Sequence, residues 1–221
     1  MIEAARLPVL AVCGLAFEAA IARGPGVAAA CGPGAVGLRS APAPPWSGII
    51  SFGCAGALDP ALAPGRCVVA SSVLCGGDLF DTDPAWTRAL LARLPGAWYG
   101  PLAGLEAPLL SSQDKARLRI ESGACAVDME SHAAALAARR HGVPFAVLRV
   151  VLDPAWRTIP PCALAGMGAD GSSALLPLLG SLARDPRQLA GLCALAREAW
   201  LARRALQRAR GRLGMALALP V

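Results

Sequence analysis

Three carboxylates stand where acid–base work is feasible. In the stretch AVDMESHAAALAARRHGVPFAVLRVVLD, Ala126 to Asp153, two of them, Asp128 and Glu130, open the run and Asp153 closes it. An acid that directly follows a buried strand is desolvated, which raises its pKa and suits it to general-acid work. Asp-Pro is equally a common way to open a turn. Glu130 can hold a ligand, or simply complement a helix dipole. His132, alone in an alanine-rich segment, reads as a satisfied structural residue. Two further places lie at strand ends. One is Glu18, four residues past Gly14. The other is GCAGAL, Gly53 to Leu58, which reads as the end of a strand and then a small-residue loop. There Gly53, Ala55 and Gly56 would let backbone N–H groups approach a ligand closely, although a plain turn would use the same residues. That stretch is neither a GxGxxG fingerprint nor a Walker A loop, and no GK[ST] occurs in the chain.

These side chains need a framework. LPVLAVCG, residues 7–14, is a short apolar run ending in glycine and reads as a buried strand. FEAAIA follows as a helix start. GIIS and CVVASSVL read as further strands, the second after a turn at Pro64-Gly65. DPAWTRALLARL begins with an Asp-Pro cap and keeps helical spacing. SQDKARLRIESG reads as a short polar helix. DMESHAAALAARRHG is a helix with acids at its start, Arg139, Arg140 and His141 at its end, and Gly142 as its stop. VPFAVLRVVLD reads as a continuous apolar strand buried on both faces. Residues 24–48 are rich in Gly and Pro and give no assignment. Strands alternating with helices predict an α/β chain, a three-layer α/β/α domain with a central mixed sheet. In such sheets ligands bind beyond the carboxyl ends of the strands.

The 221 residues suit one domain, 1–221, with a basic helical segment at 185–218. Hydrophobic residues make up 55% and the mean hydropathy is +0.50, enough for a sizeable core. No run of about 18 uninterrupted apolar residues predicts a membrane span. The first 20 residues lack a basic start and a cleavage site, so a cytoplasmic protein is expected. The eight cysteines form no CxxC pair and read as small buried thiols. His132 and His141 lie near no cysteine pair, so no metal is expected. The net charge of +6 resides in the tail, where eight arginines between Arg184 and Arg212 face only Asp185 and Glu198. Such a helix suits an anionic membrane surface. Nucleic acid is not expected, because no aromatic residues interleave with the charges.

Together, FGCAGALDPALAPGRCVVAS and AVDMESHAAALAARRHGVPFAVLRVVLD resemble the nucleoside phosphorylase and nucleosidase family, over residues 7–155. Members carry a G-S-A-G-G-L segment, an E-M-E segment and a strand ending in S-D. The resemblance implies that Asp153 hydrogen-bonds or protonates N7 of a leaving purine. It implies that Glu130 holds the ribose 2′- and 3′-hydroxyls and that Met129 packs against the sugar. Glu18 would position water in the hydrolytic branch, though Ala19 stands where the family often has a second acid. Gly53, Cys54, Ala55 and Gly56 would contact the substrate. Asp rather than Asn at position 153 implies a 6-amino purine such as adenine. Cys54 replaces the usual Ser, Asp128 the usual Glu, and Leu152 the usual Ser.

Residues 166–209 look like the tail of hopanoid-associated phosphorylases. That resemblance implies release of adenine from adenosylhopane, leaving a ribosyl or phosphoribosyl hopane. ALLPLLGSLA would wall an apolar channel for the hydrocarbon, and the basic helix would rest at the inner membrane face where the lipid resides. The substrate is then a purine nucleoside with a lipid tail, no cofactor is needed, and phosphate as co-substrate is left open. A homo-oligomer is the family expectation. The alternatives are a nucleosidase for methylthioadenosine or S-adenosylhomocysteine, and a non-catalytic nucleoside-binding module.

Overall fold

The computed structural model describes residues 7–39, 41, 43–159 and 189–220. Eight strands and six helices are formed among them. In chain order these are β1 (Val9–Cys13), α1 (Ala16–Ala22), β2 (Val27–Cys31), α2 (Gly34–Leu38), β3 (Gly48–Ala57) and β4 (Cys67–Cys75). Then come β5 (Asp78–Asp81), α3 (Pro84–Arg93), β6 (Trp98–Gly104), α4 (Ser112–Ser122), β7 (Ala126–Asp128), α5 (Ser131–His141), β8 (Phe145–Asp153) and α6 (Leu189–Leu213).

The strands make one mixed sheet that curls on itself. β3 pairs in parallel with β1 along Gly48–Ser51 and with β8 along Ile49–Gly56. β8 pairs with β4, β4 with β6, β6 with β7, and β7 returns to the far end of β3. Five strands therefore close a ring, which removes their open edges. β1 and β2 extend the sheet from β3, and β5 from β4.

Helices cover both faces, the three-layer arrangement the alternating pattern predicts. On one side Ala134, Ala135 and Ala138 of α5 pack with Leu10, Ile49, Val147 and Val151. On the other, Ala19 of α1, Trp86 and Leu90 of α3 and Leu206 of α6 pack with Val9, Ile50, Leu148 and Val150. β8 thus alternates between the layers with a period of two.

Local chemistry sets the helix ends. Asp83 caps α3, accepting from the Trp86 amide at 2.8 Å, with Pro84 in the first turn, where its missing N–H costs nothing. Ser111 caps α4 and accepts from the Asp114 amide at 3.0 Å. Gly123 and Gly142 end α4 and α5 in the left-handed conformation, at φ 68° and 62°.

Two expectations are corrected. The small-residue stretch from Gly53 is strand rather than loop: β3 runs to Ala57, bulges between Ala55 and Gly56, and pairs there with β7 and β8. Asp128 closes strand β7 instead of opening a helix, and α5 begins at Ser131. The apolar strand β8 carries a fully buried arginine, Arg149. The lipid channel expected at ALLPLLGSLA lies outside the described residues, as do 185–188 of the basic segment. No helix among the described residues is long and apolar enough to cross a membrane.

Candidate functional site

β1, β2, β3 and β8 run parallel, so Cys13, Ala57 and Asp153 mark strand ends on one side of the sheet. α1 starts directly after β1 and turns Glu18 inward over those ends. Its Oε2 accepts from the amides of Gly14 at 2.9 Å and Leu15 at 3.0 Å. Its Oε1 accepts from the Cys54 amide at 2.7 Å. Burial pushes the Cys54 thiol well above its ordinary pKa, and the Glu18 charge beside it adds to the rise. Burial pushes the Glu18 carboxyl above its ordinary pKa, while Arg149 and the amide donors pull against that shift.

Arg149 is the hub. It takes a place between Val147 and Val151 that the alternation would give to an apolar side chain, and it is 0% exposed. Its Nε pairs with Asp128 at 2.5 Å and its Nη2 with Glu130 at 3.2 Å. Ser51 accepts from Nη2, and the Cys54 carbonyl accepts from Nη1 at 3.4 Å. Asp128 also fixes the start of α5, accepting from the Ser131 amide at 3.0 Å and from the Ser131 hydroxyl. That sets the position of Glu130, the N-cap residue of the same helix.

Three carboxylates around one guanidinium leave an excess of negative charge when all are ionised. The Glu130 carboxyl is raised from 4.5 to about 7. Burial is the main cause, Arg149 opposes it, and Asp128 and Glu18 add to it. The neighbouring Cys13 thiol is pushed well up, by burial first and then by Glu18.

Two glycines make room for this cluster. A Cβ on Gly14 would lie 2.6 Å from Glu130 Oε1. One on Gly53 would lie 2.5 Å from Glu18 Oε2 and 2.7 Å from Arg149 Nη1. Gly53→Ala therefore forces the ion cluster apart, and overpacking of this kind costs about 1–3 kcal/mol. The expected result is a thermal midpoint lower by several degrees; an unchanged melting curve would show that the cluster yields without cost.

Asp153 is 5% exposed and sits apart from the Arg149 hub. Its partner is Lys115 of α4, which donates to Oδ2 and is itself 0% exposed. Burial raises the Asp153 carboxyl above its ordinary pKa, Lys115 pulls it down, and Glu198 adds to the rise. A Cβ on Gly56 would lie 3.2 Å from Asp153 Oδ2, so the small residues of β3 do approach this group.

The structure thus brings Glu18 and Glu130 onto one hub with Gly53 and Cys54, and seats Asp153 beyond it with Gly56. Ala55 is buried on β3 within the core, and half-buried Met129 lies between Asp128 and Glu130. His132 is buried, with Nε2 at 2.8 Å from Glu106 Oε1. Cavities of about 350 and 360 Å³ lie elsewhere, one beside Arg66 and Arg212, the other beside Phe80 and Arg139. The charges of the cluster identify the site. Arg149, Lys115 and Ser51 were not found from the sequence. An arginine inside a doubly buried strand was a usable signal, since such a charge demands a buried acid.

Chemically, the Arg149 cluster offers a carboxylate acceptor for hydroxyl groups and a second carboxylate, Glu18, able to orient water. It also offers a negative field that favours a developing cation. Asp153 offers a carboxyl shifted toward its protonated form, suited to a departing base.

The family model described as the Phosphorylase superfamily matches residues 46–160, more than half of the chain. Comparison with the curated proteins yields no match. Among solved structures, the 5′-methylthioadenosine/S-adenosylhomocysteine nucleosidase from Helicobacter pylori is similar at 15% identity and TM-score 0.60, over 92% of this chain and 97% of that one. The futalosine hydrolase of Helicobacter pylori is similar at 15% identity and TM-score 0.61, over 93% and 97%. The S-adenosylhomocysteine nucleosidase from Streptococcus pyogenes is similar at 18% identity and TM-score 0.60, over 99% and 100%.

Proposed function

Because the chain belongs to the Phosphorylase superfamily, we propose that it cleaves the N-glycosidic bond of an adenine nucleoside, with adenosylhopane as its substrate. The observation that carries this reading is the placement at the strand ends of Glu130 on the buried Arg149 and of Glu18 beside it across Gly53, with Asp153 closing β8. As the bond breaks, its electron pair moves to the purine and positive charge grows on the sugar. Glu130 accepts hydrogen bonds from the 2′- and 3′-hydroxyls, and the carboxylate excess stabilises the cationic ring. Glu18 orients the attacking water and accepts its proton as the C1′–O bond forms, and Asp153 supplies a proton to N7 as the bond to the base breaks.

Water is the favoured nucleophile, because a phosphate dianion would enter against the net negative charge of the cluster. Purified protein incubated with adenosylhopane should release adenine equally with and without phosphate. Release only with phosphate would establish phosphorolysis instead. Cleavage confined to small thio-nucleosides would favour the second reading, a methylthioadenosine or S-adenosylhomocysteine nucleosidase, for which the named structural neighbours speak. No release from any adenine nucleoside would leave a nucleoside-binding module. The family resemblance also implies a homo-oligomer, which light scattering measures.

The hopane assignment rests on the tail resemblance, and the exposed face of α6 supports a cytoplasmic enzyme held at a membrane surface. That face presents Arg197, Arg203, Arg204, Arg208 and Arg212 with Trp200, and its one acid, Glu198, is buried against Arg157. Arg204 lies over the Trp200 ring at 4.7 Å, and Trp200 is 54% exposed. Each arginine near an anionic bilayer contributes about 1 kcal/mol. Replacing Arg203, Arg204 and Arg208 together by Gln should weaken binding to phosphatidylserine-containing vesicles by roughly 100-fold. Equal sedimentation of both proteins with those vesicles would end the membrane proposal.

A further inference from the structure

Lys115 has no part in the chemistry above, yet it is among the most completely buried charged groups described. It belongs to a polar helix whose other long side chains, Arg117 and Arg119 among them, reach solvent. An ammonium has three N–H donors and no acceptor. All three have partners here: Asp153 Oδ2, the Arg157 carbonyl at 3.0 Å and the Pro154 carbonyl at 3.2 Å. Only the protonated form satisfies that set, because a neutral amine would leave one buried acceptor facing a lone pair. Lys115 therefore ties the Asp153 carboxyl to two backbone carbonyls and holds it still.

The surroundings are built to match. The Ile159 amide donates to the Leu110 carbonyl at 2.9 Å, and the Ser112 amide donates to Thr158 Oγ1 at 3.3 Å. These bonds lash the segment after β8 to the start of α4, so the lysine and the aspartate move as one body. The other ionisable groups facing Asp153 are Glu198 of α6, itself paired with Arg157 at 2.6 Å, and the Cys54 thiol of β3. Lys115 is the cation that pairs directly with Asp153.

We propose that Lys115 is the positioning residue of Asp153. It clamps Oδ2, leaves Oδ1 for the base, and neutralises the carboxylate that proton donation creates. The proposal rests on the reading of Asp153 as the acid toward the leaving purine. In the step itself the Asp153 O–H bond breaks and the N7–H bond forms. The glycosidic electron pair passes to the purine, and Lys115 keeps its three protons.

The test compares the wild-type chain with Lys115→Gln, which keeps one hydrogen bond to Asp153 without the charge, and with Lys115→Met. Removing an opposite charge at this distance raises a carboxyl pKa by about 1–3 units. The alkaline limb of kcat should move to higher pH by at least one unit in both variants. At pH 7 kcat should fall about 10- to 100-fold, with KM within about threefold. A loss of kcat with the limb unmoved, or kinetics like wild type, overturns the proposal. A second measurement needs no turnover: ¹³C titration of the Asp153 carboxyl, assigned with Asp153→Asn. A midpoint higher by one unit or more in Lys115→Gln supports the clamp, and an unchanged midpoint refutes it. If the wild-type chain releases no adenine while the midpoint moves, the functional reading fails and the clamp stands. Should Lys115→Met not fold, Lys115→Gln decides alone.

Discussion

Asp153→Asn lowers kcat by about 10²- to 10⁴-fold and leaves KM within about threefold. General-acid help is worth that range, and it is felt only as the bond to the base breaks. An asparagine amide is nearly the same size and still hydrogen-bonds a purine nitrogen, so ground-state binding survives. It has no proton to give. The structure sharpens the expectation in two ways. The carboxyl is buried and shifted upward, so a larger share of it is protonated at neutral pH than for an exposed aspartate. Lys115 stays behind facing a neutral oxygen, and losing one partner of a buried ion pair costs about 3–5 kcal/mol. Kinetics must therefore be measured where circular dichroism shows the variant folded. Equal losses in kcat and in substrate affinity would remove the acid role and leave Asp153 as a binding group.

Much of the framework could be read from residues alone, for identifiable reasons. β1, β4 and β8 are dense in valine and leucine, and α3 and α5 announce themselves through Asp83-Pro84 and Gly142. β2 is VAAAC, too short and too alanine-rich to stand out, and it forms because it pairs in register with β1. β6 contains both Gly100 and Pro101, which lower strand propensity, yet β4 and β7 hold it from both sides. The same override explains β3 beyond Gly53. Small residues favour a loop locally, but pairing with β8 and β7 imposes a strand, and small side chains are what let Glu18, Arg149 and Asp153 crowd against it. The carboxylates of the site were legible, because acids at strand ends are conspicuous in an apolar chain. Their cations were not. Lys115 is surrounded in sequence by exposed polar residues, and Arg149 is hidden inside an apolar run. Both become meaningful only when the fold brings them to acids 38 residues away in one case and 19 in the other.

Glu130→Gln separates what stabilises the chain from what makes it work. The Glu130 carboxyl is raised from 4.5 to about 7, so between those values the folded state holds its proton more tightly than the unfolded state does. Stability therefore falls as pH rises through that window, by roughly 3 kcal/mol once the group is ionised. Glutamine cannot ionise and escapes the loss. At pH 8 the variant should resist denaturant better than the wild type by an amount of that order, and the gap should close toward pH 4.5. Catalysis should move the opposite way. A charged acceptor contributes about 1.5–3 kcal/mol per hydrogen bond, and Glu130 is assigned two sugar hydroxyls, so kcat/KM should fall by at least about 100-fold. Its pH dependence should lose the rise near 7 that ionisation of Glu130 produces in the wild type. Near-normal kinetics in the variant would end the sugar-holding role. A variant no more stable at pH 8 would mean that the carboxylate excess around Arg149 is relieved elsewhere, and that the cationic transition state is not what this cluster is poised to meet.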